Sequence, residues 1–410
     1  MSNNKILVID NYLNFLTTIC GAINKYKDSL YNKYDGDDED EFEKMDSKVF
    51  AFYNGKLTEI NNQMDFFQNR PITDFNSTGI IVSKLNCSIK AQLLDLVKIF
   101  ASNTSVDYHP GSNNKVRDLV HPSVYPYVKK KVQKTNKLDF WKRPYESSKY
   151  QWLPSEFKIN ADGKCTIQTY INNLPLGETQ MYECIEKMFE SVLPDLENAW
   201  SYANSIKIFH DDEDIDGAAH TELHTQSLKN KTLQVITKIV QVTLDGKETL
   251  PGSWHVEGMS HENIVGTASC TLDMDSDFEA TLYFKRTYYE EEAGHLLMST
   301  PQYPPQLVSD LYYQNLVPVG KASITDGALV VFPNNFVHKV DMVNKSEEPK
   351  TRTILVFWLI NPNVRIKSTK DILQQTYDKE EVDKVRLELM NERTFFKQTF
   401  NQRKINLCEH

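Results

Sequence analysis

Cysteine is scarce in this chain, with six among 410 residues (Cys20, Cys87, Cys165, Cys184, Cys270, Cys408), and no two form a CxxC pair. That excludes a zinc ribbon and a disulfide framework and suits a reducing compartment, so a cytoplasmic or nuclear protein is expected. No apolar run is long enough to cross a bilayer. The apolar stretch near the start, residues 6–9, is too short for a secretory signal. Positive charge is also in deficit, with 46 Lys and Arg against 56 Asp and Glu and a net charge of -10. A nucleic-acid backbone needs a basic surface, so it is not expected as a partner, and neither is a membrane. The basic cluster Lys129-Lys130-Lys131 reads as a solvated face. Missing too are a glycine-rich phosphate loop, a GxSxG elbow, paired catalytic cysteines and any internal repeat.

What is present falls into four expected segments. Residues 1–110 form a peripheral, largely helical region, in which Asp35-Gly-Asp-Asp-Glu-Asp-Glu41 repels itself and reads as a mobile loop. In this region Ile89, Leu93, Leu96, Val97 and Phe100 follow helical spacing and predict a helix over 88–100. Residues 111–230 form a mixed helical support region. There Met181, Cys184, Ile185, Met188, Phe189 and Val192 mark a helix over 178–193, which Pro194 should interrupt or restart. From 231 to 366 the character changes to short β-branched runs at 232–244, 264–272, 280–284, 328–332 and 353–360. Turn pairs such as Asp245-Gly246, Pro251-Gly252, Asp326-Gly327 and Pro333-Asn334 punctuate them. Residues 367–410 return to helix and are expected to pack on the core. Asp378 and Glu381 would form a capping box there, and Val382, Val385, Leu389 and Phe396 share one face. The expected fold is therefore α+β, with a barrel or double-sheet jelly roll (a cupin-like double-stranded β-helix) flanked by N- and C-terminal helices.

The chemistry concentrates in His255-Val256-Glu257. Residues at i and i+2 of a strand point the same way, so His255 and Glu257 would share a face. His338 follows a second apolar strand, 327–333, that ends in a Pro-Asn turn. Two imidazoles and one carboxylate with open coordination positions opposite are the facial set of non-haem Fe(II) sites. The bland alternative is a pair of polar residues on a solvent-facing strand. Beyond a polar turn at 344–349 comes Arg352, which a hairpin would bring close to His338. Its planar fork suits the far carboxylate of 2-oxoglutarate. The alternative for Arg352 is a rim ion pair with Asp341 or Glu348. Lys238, Trp254 and Arg286 are further candidates for the pocket wall, as are Tyr283 and His295.

The chain resembles the 2-oxoglutarate/Fe(II)-dependent oxygenases with a double-stranded β-helix. More closely, it resembles an uncharacterised family of unknown-function domains, DUF4246. The matching motifs are Asp118-Leu-Val-His-Pro-Ser-Val-Tyr125, Tyr150-Gln-Trp-Leu-Pro-Ser-Glu-Phe157, Thr169-Tyr-Ile-Asn-Asn-Leu174 and Leu233-Gln-Val-Ile-Thr-Lys238. They continue with Gly252-Ser-Trp-His-Val-Glu-Gly-Met259, Val331-Phe-Pro-Asn334 with His338, Arg352-Thr-Ile-Leu355, Ser368-Thr-Lys-Asp371 and Leu387-Glu-Leu-Met-Asn-Glu-Arg393. The resemblance implies that His255, Glu257 and His338 bind Fe(II), that Arg352 anchors 2-oxoglutarate, and that O2 is the third reactant. It implies a dioxygenase that oxidises an unactivated C–H bond of a small molecule or of an amino-acid or peptide side chain, releasing succinate and CO2. Aspartate is the commoner carboxylate in that superfamily, so Glu257 is a departure. The long interval between Glu257 and His338 implies an insertion, 288–314, as a lid or a surface excursion.

Two rival functions stand beside this one: a catalytically silent jelly-roll binding module, and a cupin-type metal enzyme that does not use 2-oxoglutarate. Two decoys are set aside. The acidic run from Asp212 begins like an EF-hand loop but has Leu223 where a bidentate glutamate is needed. His220-Thr-Glu-Leu-His224 would put two imidazoles one turn apart if helical, but it is not HExxH.

Overall fold

The structure is a computed structural model. It describes residues 22, 23, 25, 26, 28–30, 39–72, 78–85, 88–129, 149–204, 206–208, 220–222, 225–286, 316–374 and 379–401. Four helices are named within it: α1 (Glu39–Gln68), α2 (Ile89–Asn103), α3 (Thr179–Ala203) and α4 (Lys379–Asn401). The strands before residue 231 are β1 (Ile81–Lys84), β2 (Val116–Val120), β3 (Tyr127–Val128), β4 (Tyr150–Gln151), β5 (Ser155–Ile159), β6 (Cys165–Ile167), β7 (Ile206–Ile208) and β8 (His220–Glu222). Eight more follow: β9 (Lys231–Leu244), β10 (Thr249–Leu250), β11 (Ile264–Met274), β12 (Phe278–Arg286), β13 (Val317–Ile324), β14 (Ala328–Pro333), β15 (Val337–Asn344) and β16 (Lys350–Ile360).

These strands build a mixed α+β architecture of antiparallel sheets. The larger sheet has the order β1-β14-β11-β16-β9-β5-β6, with β2 also paired to β9, and the smaller has the order β10-β15-β12-β13. On the shared edge of β9, β5 takes residues up to Val235 and β2 begins at Ile239. β1 and β5 thus belong to the same sheet as β9, β11, β14 and β16, so strand pairing runs across the boundaries expected at 110 and 230.

Strand alternation sorts the side chains of the large sheet into two layers. Leu355, Phe357 and Leu359 of β16 point outward and pack with Met188, Phe189, Val192 and Leu196 of α3 and with Leu93 and Val97 of α2. Ile354, Val356, Trp358 and Ile360 point the other way. Toward the inner face, Val242, Leu244, Val330 and Phe332 meet Phe278, Leu282, Phe284 and Val319 of the small sheet across one apolar layer. Where that layer ends, Trp152, Ile236, Val356 and Trp358 meet Leu389 of α4. The inner face is closed at that end by the C-terminal helix.

Several expectations change. α3 runs unbroken through Pro194 to Ala203. Pro194 lies on the exposed side, where water can satisfy the carbonyl it frees, while Leu193, Leu196, Ala199 and Trp200 keep the helix on the core. Burying each large apolar side chain is worth about 1.5–3 kcal/mol, which offsets the roughly 3 kcal/mol cost of an interior proline. Glu39–Glu41, expected in an acidic loop, begin α1; residues 35–38 lie outside the described residues. At the other end of α1, Gln68 is buried and its amide donates to the carbonyls of Phe284 and Gly320. His220 sits in a strand rather than a helix. Most of the EF-hand-like run, His295, Asp378 and the 288–314 insertion lie outside the described residues.

The expected hairpin of β15 and β16 does not form. β15 pairs with β10 and β12, whereas β16 pairs with β11 and β9, so the turn at 344–349 carries the chain from one sheet to the other. Asn344, buried at that crossing, donates to the carbonyls of Leu244, Asp245 and Glu348. A polar turn between two strands shows that the chain reverses, but not that the strands bond to each other.

Candidate metal centre

The first two donors are set by a bridge between backbones. His255 and His338 form an isolated antiparallel bridge, each accepting the other's N–H at 2.9 Å. Gly252 makes the approach feasible, because a Cβ there would lie 2.3 Å from the carbonyl oxygen of Val340. The imidazoles follow, with ring centroids 4.5 Å apart. His255 Nδ1 lies 2.7 Å from the carbonyl of Ser253, and His338 Nδ1 lies 3.2 Å from that of Phe336. A carbonyl only accepts, so both Nδ1 atoms carry the proton. Both Nε2 lone pairs are then left for a ligand.

Glu257 supplies the third donor. Its Oε1 lies 3.4 Å from His338 Nε2 and 3.9 Å from His255 Nε2. One ligand atom from each of the three residues lies within 4.8 Å of the others. Metal bonds of about 2.1 Å at right angles would place such donors about 3 Å apart. The three therefore need a small closure to meet an ion, and the donor set is the facial one. His338 is buried while His255 and Glu257 are partly open, so the centre has one exposed side.

Asn334 holds Glu257 in place. Its side-chain oxygen accepts the Glu257 N–H at 2.9 Å, and its amide donates to the carbonyls of Glu257 at 2.9 Å and Ile264 at 3.1 Å. Next, Gly258 adopts φ +65, and a Cβ there would lie 2.6 Å from Ile264 and 2.8 Å from Glu262 Oε2. Glu262 is fully buried and accepts the N–H groups of Met259 at 2.8 Å and Trp152. The Arg393 guanidinium of α4 makes a two-pronged ion pair with it. Burial alone would raise the Glu262 carboxyl, but Arg393 reverses this and holds it below the usual carboxylate value. Sequence reasoning singled out the same three side chains that the structure brings together and passed over these supports. The Pro333-Asn334 turn four residues before His338 was the available signal.

Arg352 faces the same interior. It opposes Val242, whose side chain belongs to the layer between the sheets, and His338 opposes Phe284 of that layer. Directly opposed residues share a face of the sheet. Arg352 is buried and donates to Thr271 Oγ1 at 3.0 Å, but its Nε has no partner. Among the described residues no carboxylate pairs with it, so the rim bridge to Asp341 or Glu348 is absent. Gly252 and Lys339 hold Asp341 instead. Burial pushes the guanidinium down to about 10.

The remaining expected residues divide. Lys238 lies opposite Val356 on the inner face. Arg286 is buried at the end of β12, two residues past Phe284 and so on the same side of the strand. Trp254 goes elsewhere: its ring carries the ammonium groups of Lys285 at 4.5 Å and Lys339 at 5.6 Å. Lys339 alternates with His338 and points away from the donors, as does Tyr283 opposite it.

A second group, His109, Asp118 and His121, also brings ligand atoms within 4.8 Å of one another. Its charge is already answered. The Arg386 guanidinium binds Asp118, and His109 Nδ1 lies 2.8 Å from the same carboxylate oxygen. His121 Nδ1 is taken by the N–H of Ser123.

Antiparallel sheets under a helical layer, with two imidazoles and a carboxylate brought together, define an α+β chain with a candidate metal site. The chain belongs to the family described as "Protein of unknown function (DUF4246)", whose model matches residues 55–208 and 195–381. Among curated proteins, none matches it in sequence. Its fold bears a distant likeness to solved structures. IDO from Bacillus thuringiensis is 10% identical over 70% of this chain and 91% of its own, with a TM-score of 0.33. The non-heme alpha ketoglutarate dependent epimerase SnoN from nogalamycin biosynthesis is 10% identical over 74% and 88%, with a TM-score of 0.31. An oxidoreductase of the 2OG-Fe(II) oxygenase family from Burkholderia pseudomallei is 10% identical over 76% and 90%, with a TM-score of 0.27.

Proposed function

We propose that the chain is an Fe(II)- and 2-oxoglutarate-dependent oxygenase built on a double-stranded β-helix. The strand order supports the fold assignment. Numbering β9–β16 as one to eight, the large sheet contains 6-3-8-1 and the small sheet is 2-7-4-5, an alternation between two facing sheets that suits a jelly roll. The observation that carries the function is the convergence of His255, Glu257 and His338 on the interior that also holds a buried arginine without a carboxylate partner. In this reading the two Nε2 atoms and Glu257 hold the iron, and Arg352 takes the far carboxylate of 2-oxoglutarate.

Iron bound there would supply O2 activation coupled to decarboxylation of 2-oxoglutarate to succinate and CO2, with oxidation of a substrate C–H bond. The chain's own part is to fix the tautomer of both imidazoles through the carbonyls of Ser253 and Phe336, to hold Glu257 through Asn334, and to exclude water with the layer around Phe284 and Phe332. Anaerobic titration with Fe(II) and then 2-oxoglutarate is expected to give a weak visible charge-transfer band in the wild type. His255→Ala and Glu257→Ala should bind no stoichiometric iron, and Arg352→Met should bind iron but lose the 2-oxoglutarate band. Retention of stoichiometric iron by both ligand variants would reject the centre. An unchanged cosubstrate affinity in Arg352→Met would favour a metal enzyme that does not use 2-oxoglutarate.

A further inference from the structure

We propose that the inner face also carries a subsite for an organic anion, whose negative group is taken by Lys238 and whose apolar body lies along Trp358. This names a substrate class for the centre and rests on the oxygenase reading. The register places the lysine. Lys238 opposes Val356, and Val356 packs with Trp358, Ile236 and Trp152 at the end of the interior that α4 closes. Lys238 also sits where the β9 edge changes partners, just after β5 leaves at Val235 and just before β2 joins at Ile239.

Charge gives the second argument. The Lys238 ammonium lies 5.7 Å from the Trp358 ring centre, and among the described residues no carboxylate forms an ion pair with it. The acid it senses, Asp118, is already held by Arg386 and His109. In the oxygenase reading Glu257 serves the metal and Arg352 serves the cosubstrate, which leaves Lys238 of β9 without an acid of its own among the described residues; the other buried cation on that side, Arg286, belongs to the facing sheet. A positive charge beside an indole face at a half-buried position favours a carboxylate over its neutral amide.

Unsatisfied polar atoms mark the path between this cation and the metal donors. Thr267 opposes Phe332 on one side and Trp358 on the other. Thr267 Oγ1 and Trp358 Nε1 are both buried without a hydrogen-bond partner. The Phe332 ring lies 4.8 Å from the His338 ring, so the row His338, Phe332, Thr267, Trp358 runs continuously across the floor. From β14 to β9 is three strand spacings of about 4.8 Å, or about 14 Å, and the Lys238 side chain reaches back over part of it. The remaining span fits a small carboxylate of amino-acid to dipeptide size.

The test is calorimetric titration of the full, anaerobic, iron-loaded chain saturated with 2-oxoglutarate, so that Arg352 is already filled. The probes are acids paired with their primary amides: benzoate, indole-3-propionate and N-acetyl-leucine. At least one acid should bind about tenfold more tightly than its amide, the difference expected from one charge-assisted contact. Lys238→Gln should erase the preference, and Lys238→Arg should keep it. The subsite is rejected if no acid outranks its amide or if Lys238→Gln keeps the preference. It is also rejected if Lys238→Gln loses 2-oxoglutarate as Arg352→Met does, which would assign the lysine to the cosubstrate. A wild type without the iron–2-oxoglutarate band would sink the oxygenase reading alone. The acid–amide comparison on the metal-free chain, with Lys238→Gln beside Arg352→Met, would still decide the subsite.

Discussion

A guanidinium shut inside a β core with one hydroxyl for company is destabilising until an anion answers it. Arg352 is in that position, and its depressed pKa reflects burial alone. Arg352→Met is therefore expected to unfold at the same temperature as the wild type or a few degrees higher without ligand. In the proposed oxygenase it should also lose the rise in Tm expected when 2-oxoglutarate binds the metal-loaded wild type. A clear drop in the ligand-free Tm would show that the arginine is structural. Asn334 poses the complementary case, since it touches only backbone beside a donor. Asn334→Ala should weaken metal binding by about 10–100-fold, as loss of outer support typically does, read by competition with a chelator. Undiminished metal affinity would show that Glu257 is positioned without it. His255 and Glu257 were legible as ligand types two residues apart, although the strand expected to align them does not form: His255 makes a single bridge to His338 and Glu257 lies in a bend. Asn334 and Glu262 were not, because the main-chain groups that Asn334 binds and the Arg393 side chain that Glu262 meets are brought near only by the fold.

At the scale of elements, α4 is where sequence and structure meet best and where chemistry was least visible. Its apolar stripe through Val382, Val385 and Leu389 was readable, but the docking depends on two buried arginines seven residues apart. Arg386 meets Asp118 and Arg393 meets Glu262. The second pair lies directly after the His255–Glu257 segment, and Arg393 also covers the Trp152 ring at 3.9 Å. Glu262 has a folded pKa below its unfolded value, so its stabilising contribution is complete above the unfolded pKa. It disappears as pH falls through the lower, folded value. Wild type should therefore lose stability steeply below about pH 4. Glu262→Gln should be less stable by about 3–5 kcal/mol at neutral pH, since it strands a buried arginine, and should show a shallower acid limb. Denaturant melts from pH 3 to 7 give both, and parallel acid limbs would disprove the role of this pair. β15 and β16 teach the opposite lesson. Both strands were legible from composition, yet their partners depend on Asn344 and on sheets assembled from distant segments.

Across the whole molecule, the described residues form a helical layer on one side of the large sheet and the small sheet on the other. Binary pattern revealed most of β9–β16 and the two helices α2 and α3, because each has a strong period. It did not reveal that β1, β2, β5 and β6 join the same sheet, because those strands are short and pairing partners are not written locally. No helix among the described residues is long and apolar enough to cross a membrane. Among the described residues the interior instead collects the rare groups: the guanidiniums of Arg352 and Arg286, the Lys238 ammonium and the three candidate ligands.

β16 faces both layers at once. Leu355, Phe357 and Leu359 bind the helices, while Arg352, Ile354, Val356 and Trp358 line the interior between the sheets. A slip of one residue along this strand would exchange the two sets, turning the guanidinium toward α3 and greasy side chains toward the candidate metal site. Deleting a single position within the strand should thus be far more damaging than deleting two, because only an even change restores parity.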